Sequence, residues 1–146
     1  MTEAATGTRT VVVEREIPHP PEKIWRALTQ PHLIEEWLMK SDFRPDVGHR
    51  FNFRTERADW KMVLDCEVLA IEPSRKLSYT WNFAGNDPAH RLESVVTWTL
   101  TPTSGGTHLR MEQSGFRGDQ RQAYGGARAG WPQYLEKLEQ VLERVD

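Results

Sequence analysis

The spacing of apolar residues changes along this chain from every second position to every third or fourth. Between residues 50 and 113, successive segments alternate apolar and polar side chains, as in KLSYTWNF at 76–83. Such alternation is typical of strands with one buried face. The apolar residues of 124–145 recur instead at helical spacing, which predicts a long amphipathic helix. The chain must therefore combine several one-faced strands with one terminal helix that covers them.

The alternating segments predict six strands, at 11–17, 50–56, 61–73, 76–83, 94–102 and 107–113. Two short helices are predicted after the first strand, where Pro20 and Pro21 suit the first turn of one helix and Pro31 begins the other. Turns at 85–88 and 104–106 indicate an antiparallel meander. A break in the alternation at 69–71 predicts a bulge.

The order of these segments predicts an α+β fold. In it, a curved antiparallel sheet of about six strands wraps around the long C-terminal helix. Pro132 lies within that helix and removes one internal hydrogen bond. Either the helix is kinked at this proline or a new helix begins there, and we expect the kinked continuous helix.

Length and charge narrow the class of protein. The 146 residues suit one domain, predicted at 11–146 after a flexible leader at 1–10. A net charge of −2 argues against nucleic-acid binding. No apolar run approaches the roughly 18 residues of a membrane span, so membrane insertion is not expected. The single cysteine, Cys66, fits a reducing compartment, and we predict a cytoplasmic protein.

The chain lacks the patterns of common catalytic and metal sites. Its histidines are scattered, at positions 19, 32, 49, 90 and 108, and no two have the spacing of metal ligands. The acidic pairs at 35/36 and 65/67 are expected on solvated faces rather than in the dry cleft that acid–base catalysis requires. Cys66 is interpreted as a small buried hydrophobe. We predict no metal, no cofactor and no assigned catalytic residue.

The inward faces are unusually aromatic, and this is the main functional signal. For any single ring a packed core is the better interpretation, but buried Tyr and Trp tips need hydrogen-bond partners. A mostly apolar cavity with a few polar groups is typical of small-molecule sites. The predicted lining is Trp37, Phe51, Phe53, Met62, Leu64, Cys66, Tyr79, Trp81, Trp98, Met111, Gln113, Phe116, Tyr124, Trp131 and Tyr134. Its polar groups would come from Tyr79, Trp81, Gln113, Tyr124 and Tyr134.

Several separated motifs resemble those of one superfamily. They are HPPEKIWRALTQPHLIEEW at 19–37, EVLAIEPSRKLSYTW at 67–81, SGF at 114–116, and GW at 130–131 followed by two spaced leucines. Over residues 11–143 the chain resembles the START-like helix-grip (SRPBCC) superfamily, in the branch of the activators of the heat-shock-protein-90 ATPase. It departs from the branch pattern at His19, where alanine is usual, and at His49, where the second of two glycines is usual.

The resemblance implies the helix-grip fold and three alternative functions. The first is binding of a small hydrophobic ligand, aromatic or lipid-like, between the sheet and the terminal helix. The second is a polyketide cyclase or aromatase activity, for which Tyr79, Tyr124 and His49 are the candidate proton-transfer groups. The third is a chaperone partner role. Co-chaperones of this branch carry an extra N-terminal domain, where this chain has ten leader residues, which counts against the third.

Overall fold

A computed structural model of the chain describes residues 8–57, 60–83 and 91–145. The strands are β1 (Thr8–Ile17), β2 (Lys40–Ser41), β3 (Arg50–Arg57), β4 (Trp60–Glu72), β5 (Lys76–Phe83), β6 (Leu92–Thr103) and β7 (Gly106–Arg117). The helices are α1 (Pro21–Thr29), α2 (Pro31–Trp37) and α3 (Arg121–Arg144). The predicted turn at 85–88 lies outside the described residues.

All the strands belong to one antiparallel sheet, in the order β1-β7-β6-β5-β4-β3-β2. The predicted α+β helix-grip fold is confirmed: the curved sheet packs its inner face against α3. The six predicted strands are present, and the seventh, β2, is a two-residue edge strand that pairs with β3. So short a strand shows no alternation, and the sequence therefore does not reveal it.

Two strands differ in detail from a plain alternation. β1 begins at Thr8, so the last three residues of the predicted leader pair with β7. In β4 the pairing with β5 shifts between Val68 and Ala70. This shift is the predicted bulge, and it lets the long strand bend.

Prolines lie in the first turns of α1 and α2 and in the interior of α3. Pro21 and Pro31 occupy the first turns of α1 and α2, where a missing N–H costs no helical bond. α3 runs through Pro132 as one helix, which confirms the continuous helix rather than a break. Pro132 leaves the carbonyl of Arg128 without its usual intrahelical donor.

The core fills the space between the inner face of the sheet and α3. From its middle to its end, α3 buries Trp131, Leu135, Leu138, Val141 and Leu142. The strands bury their alternate residues, among them Leu77, Tyr79 and Trp81 of β5, whereas Phe83 at the end of this strand is half-buried. Ser78 is also buried, and its hydroxyl is paired with that of Thr97 on β6 at 3.1 Å.

His108 of β7 lies between two glutamates of β1. Its Nδ1 contacts the Glu16 carboxylate, and its Nε2 lies 2.7 Å from Glu14 Oε1. Hydrogen bonding to Glu16, and then to Glu14, raises the pKa of His108 above 6.5. We expect an NMR titration of the ring to show a midpoint above 6.5, and Glu16→Gln to lower that midpoint.

The raised pKa of His108 also sets the sign of its effect on stability. Because the folded state binds the proton more tightly, the contact stabilises the fold below the unfolded-state pKa of about 6.5. The stabilisation is lost as the pH rises through the folded-state pKa of His108. Equal midpoints for the wild type and Glu16→Gln would show that the carboxylate does not hold this proton.

A candidate ligand cavity between the sheet and the terminal helix

A cavity of about 370 Å³ lies between the sheet and the N-terminal half of α3. One wall comes from the strands and from the segment after α2. It is lined by Met39, Leu64, Trp81, Phe83, Leu92, Gln113 and Phe116. The other wall is the helix itself, which contributes Ala123, Gly126, Ala127, Gly130, Trp131 and Tyr134.

The cavity exists because the side chains that α3 presents to the sheet differ in size along the helix. Its later turns present large apolar side chains to the sheet, whereas its first turns present alanines and glycines. A Cβ atom built on Gly126 or on Gly130 would meet no other atom within 4 Å. The space in front of these two glycines is therefore open, while the space beyond Trp131 is filled.

A chain of hydrogen bonds fixes the polar part of the wall. Trp131 Nε1 donates to Gln113 Oε1 at 2.7 Å, and Gln113 Nε2 donates to Ser94 Oγ at 3.0 Å. Ser94 Oγ in turn donates to the carbonyl of Trp81 at 2.6 Å. Gln113 is only 1% exposed, and this chain holds its amide in one orientation. One amide hydrogen and one lone pair of the Gln113 side chain take no part in these hydrogen bonds.

Tyr134 brings a second polar group to the cavity. Its ring packs edge-on against Trp131, with 5.6 Å between the ring centroids. Within residues 8–57, 60–83 and 91–145, no hydrogen-bond partner contacts its hydroxyl. Burial raises the pKa of the Tyr134 phenol, so at neutral pH the group is an O–H donor.

Six of the residues predicted to line a cavity meet at this one. They are Leu64, Trp81, Gln113, Phe116, Trp131 and Tyr134. They come from strands β4, β5 and β7 and from α3. In the sheet β4 and β5 are neighbours, and β6 lies between β5 and β7. Met62 lies in β4, but its side chain is outside the part of the chain that the structure describes.

Most of the other predicted residues lie in a packed aromatic core beside the cavity. These are Trp37, Phe51, Phe53, Tyr79, Trp98 and Met111, each at most 4% exposed. Their polar tips are paired within the protein. Trp98 Nε1 donates to the Tyr79 hydroxyl at 2.9 Å, and Trp37 Nε1 donates to the carbonyl of Ala27 at 2.9 Å. Burial raises the pKa of the Tyr79 phenol, and no ligand is needed to satisfy these indole groups.

The two acidic pairs lie where the sequence predicts, whereas Cys66 is buried as predicted but does not line the cavity. Cys66 is a buried free thiol, and its burial raises the pKa of the thiol well above the ordinary value. Glu35, Glu36 and Asp65 are exposed, and Glu67 is partly exposed. These groups therefore lack the dry cleft that acid–base catalysis requires.

Tyr124 and His49, two of the candidate proton-transfer groups, lie away from the cavity wall. Tyr124 faces a groove between β1 and α3, and the Arg9 and Arg128 guanidinium groups lie 5.2 and 5.7 Å from its ring centroid. His49 stacks on Phe51, and its Nε2 donates to the carbonyl of Asp42 at 3.3 Å. Each aromatic ring is therefore held by local contacts.

The prediction of site residues from the sequence missed half of the cavity wall. The missed residues are Met39, Phe83, Leu92, Ala123, Gly126, Ala127 and Gly130. A signal for four of them is visible in the sequence. The small residues at 123, 126, 127 and 130 recur at steps of three, one and three, which places them on one face of a helix.

Comparison with known proteins identifies the family. Residues 18–143 match the family described as activator of Hsp90 ATPase homolog 1-like protein. The chain belongs to this family. The predicted superfamily and branch are therefore confirmed. No curated protein matches the chain significantly.

Solved structures of other proteins show the same fold. Protein MLL2253 from Mesorhizobium loti is 75% identical, with a TM-score of 0.89 and coverage of 94% of this chain and 99% of that chain. CV1439 from Chromobacterium violaceum is 25% identical, with a TM-score of 0.74 and coverage of 92% and 97%.

DynU16, a protein of the dynemicin biosynthetic locus, is 28% identical with a TM-score of 0.76. The alignment covers 92% of this chain and 47% of DynU16. This chain therefore corresponds to less than half of that longer protein.

Two further features of the family member bear on its partners. Among residues 8–57, 60–83 and 91–145, no cluster of three His, Cys, Asp or Glu side chains could hold a metal ion. None of the helices in this described part is both long and apolar enough to cross a bilayer.

Proposed function

We propose that this protein binds a small apolar molecule in the cavity in front of Gly126 and Gly130. The observation that carries the proposal is the contrast between the two halves of α3. The half of α3 that begins at Trp131 fills the space against the sheet with large side chains. The half before it leaves a volume of about 370 Å³ open between the helix and the sheet. Ligand sites in proteins begin at roughly 300 Å³, so the space is large enough for a ligand.

The chemistry of the wall supports a ligand site rather than a packing defect. Aromatic rings form much of the strand wall, and burying apolar surface against them would supply affinity. Gln113 is held in one orientation by Trp131 and Ser94, so a polar group is presented to the cavity without reorganisation. A few such oriented groups in an apolar pocket are typical of small-molecule sites.

The other two functions stay predictions from the family resemblance. For the cyclase or aromatase alternative, Tyr79, Tyr124 and His49 lie elsewhere than the cavity wall. For the chaperone role, the family description alone is the support. We also propose a cytoplasmic location, because the single Cys66 is a free buried thiol.

Naphthalene, an uncharged apolar probe, tests the proposed binding. We expect its titration to shift the indole N–H signals of Trp81 and Trp131, which line the cavity, more than that of Trp37. In Gly130→Leu the new side chain would enter the open space and occupy it. We expect this substitution to weaken naphthalene binding by at least about tenfold, a loss of roughly 1.4 kcal/mol.

Gly125→Leu is the matched control for this substitution. Gly125 lies in the same helix and has equally open surroundings, but it is absent from the cavity wall. Both substitutions replace a helical glycine and remove a cost of up to about 1 kcal/mol, so both variants should fold. Naphthalene binding that is unaffected by Gly130→Leu, or that is absent from the wild type, would refute the proposed function.

A further inference from the structure

The cavity wall carries no charged side chain among the residues that the structure describes. Its polar side-chain groups are the Gln113 amide, the Tyr134 hydroxyl and the indole N–H groups of Trp81 and Trp131, none of which is charged. A buried carboxylate or phosphate would therefore find no counter-charge on this wall. Burying an unpaired charge costs several kcal/mol, so the wall discriminates against ionised ligands.

Resting on the proposed function, we infer that the ligand is an uncharged aromatic compound with one hydroxyl or carbonyl oxygen, which accepts a hydrogen bond from Tyr134. The size of the ligand follows from the volume of the cavity. A water molecule takes up about 30 Å³ of liquid, so a cavity of about 370 Å³ holds about a dozen non-hydrogen atoms.

The shape of the wall favours a ring over an acyl chain. The ring centroids of Trp81 and Trp131 lie 5.1 Å apart, and the two ring planes make an angle of 55°. Both rings line the cavity and present aromatic surface to it. Across from the strand wall, Gly126 and Gly130 offer bare backbone. A rigid ring can pack against the indoles in the offset or edge-on arrangement that aromatic pairs favour. A flexible chain of equal volume loses more conformational entropy when it is bound.

The polar end of the ligand is set by Tyr134. Its hydroxyl keeps its proton at neutral pH and has no partner within the described residues. A donor that loses water on ligand binding needs a replacement acceptor, and a hydroxyl or carbonyl oxygen supplies one without a charge. Gln113 already makes hydrogen bonds to Trp131 and Ser94, whereas the Tyr134 hydroxyl makes none within the described residues, so Tyr134 is the donor that the oxygen of the ligand is expected to meet.

Four probes of similar size separate these requirements: 2-naphthol, naphthalene, 2-naphthoate and n-decanol. Binding is measured at neutral pH by isothermal titration calorimetry, with the indole N–H signals of Trp81 and Trp131 as the reporter of the site. We expect 2-naphthol to bind about fivefold more tightly than naphthalene, the factor expected for one hydrogen bond of about 1 kcal/mol. We expect n-decanol to bind about tenfold more weakly than 2-naphthol, and 2-naphthoate at least about 100-fold more weakly.

Tyr134→Phe tests the donor directly, because it removes only the hydroxyl. We expect it to abolish the preference for 2-naphthol over naphthalene and to leave naphthalene binding within about twofold of the wild type. Tyr124→Phe is the matched control, since Tyr124 lies on the same helix but lines the groove toward β1. This control should keep the full preference for 2-naphthol.

The results distinguish failure of the ligand class from failure of the proposed function. If 2-naphthoate or n-decanol binds as tightly as 2-naphthol, or if Tyr134→Phe keeps the preference, the inferred ligand class is overturned while binding in the cavity stands. If none of the four probes shifts the indole signals of Trp81 and Trp131, the proposed function fails as well.

Discussion

Replacing Gln113 by leucine is expected to lower the free energy of unfolding by about 3 kcal/mol. The substitution removes the acceptor of Trp131 Nε1, which belongs to a residue only 3% exposed. It also removes the donor to Ser94 Oγ. Each buried group left without its partner costs about 1–3 kcal/mol, whereas the similar volume of leucine limits the packing cost. Urea denaturation followed by tryptophan fluorescence measures the change.

A double-mutant cycle with Trp131→Phe isolates the hydrogen bond from the packing. Trp131→Phe alone leaves Gln113 Oε1 without its indole donor, and Gln113→Leu alone leaves the indole without its acceptor. In the double variant neither polar group remains unpaired. We therefore expect the double variant to be about 1–2 kcal/mol more stable than the sum of the single changes predicts.

Gln140→Leu is the control for this cycle. Gln140 is an exposed residue of α3, and the same substitution there should change the stability by no more than about 0.5 kcal/mol. Strictly additive changes in the cycle would mean that the contact between Gln113 and Trp131 contributes nothing to stability. A large effect of Gln140→Leu would attribute the loss to the helix rather than to the buried amide.

The strands were predictable because their faces differ in solvent contact. In β5 the inward residues Leu77, Tyr79 and Trp81 are buried, while Lys76 is exposed. Because the buried positions are apolar, the sequence of this strand alternates between apolar and polar residues. The exception is Ser78, which is buried and whose hydroxyl is paired with that of Thr97, nineteen residues away on the neighbouring strand. A contact between distant positions leaves no local pattern, so a polar residue that is buried in this way is read as exposed.

The cavity was less predictable, because alternation reveals a face but not what lies opposite it. Tyr79 and Trp81 point to the same side of β5. Tyr79 is enclosed by Phe51 and Phe53, with centroids 5.5 and 5.7 Å away, whereas Trp81 borders the small residues of α3. The difference arises from the register between a strand and a helix that are distant in sequence. The sequence could therefore predict the set of inward rings but not which of them face open space.

Polar tips were a misleading guide for the same reason. The Trp and Tyr tips suggested that a ligand was needed to satisfy them, yet the hydroxyl of Tyr79 accepts from Trp98 on the neighbouring strand. That pairing depends on the register of β5 against β6. Tyr134 differs, because its hydroxyl has no partner in the described part of the chain. That the Tyr134 hydroxyl is available to a ligand could be recognised only after the contacts of the folded protein were known.

Gly106→Ala is expected to lower the free energy of unfolding by about 4 kcal/mol, through strain and overpacking together. Gly106 begins β7 with a φ of +155°, a conformation that residues with a side chain rarely adopt. An added Cβ would lie 2.1 Å from the carbonyl oxygen of Ile17 and 2.8 Å from the backbone nitrogen of His19. Both contacts are with backbone atoms, so no side-chain rotation can relieve them. β1 and β7 would have to separate where the two strands meet.

The neighbouring Gly105→Ala is the matched control, because a Cβ on Gly105 would meet no atom within 4 Å. We expect that variant to stay within about 0.5 kcal/mol of the wild type in thermal and urea denaturation. Comparing the two variants distinguishes the cost of the close contact between two backbones at Gly106 from the general effect of replacing a glycine in the turn. Equal stabilities of Gly105→Ala and Gly106→Ala would contradict the tight contact between the start of β7 and the end of β1. A selective loss at Gly106 would show that the sheet tolerates only a glycine where β7 begins.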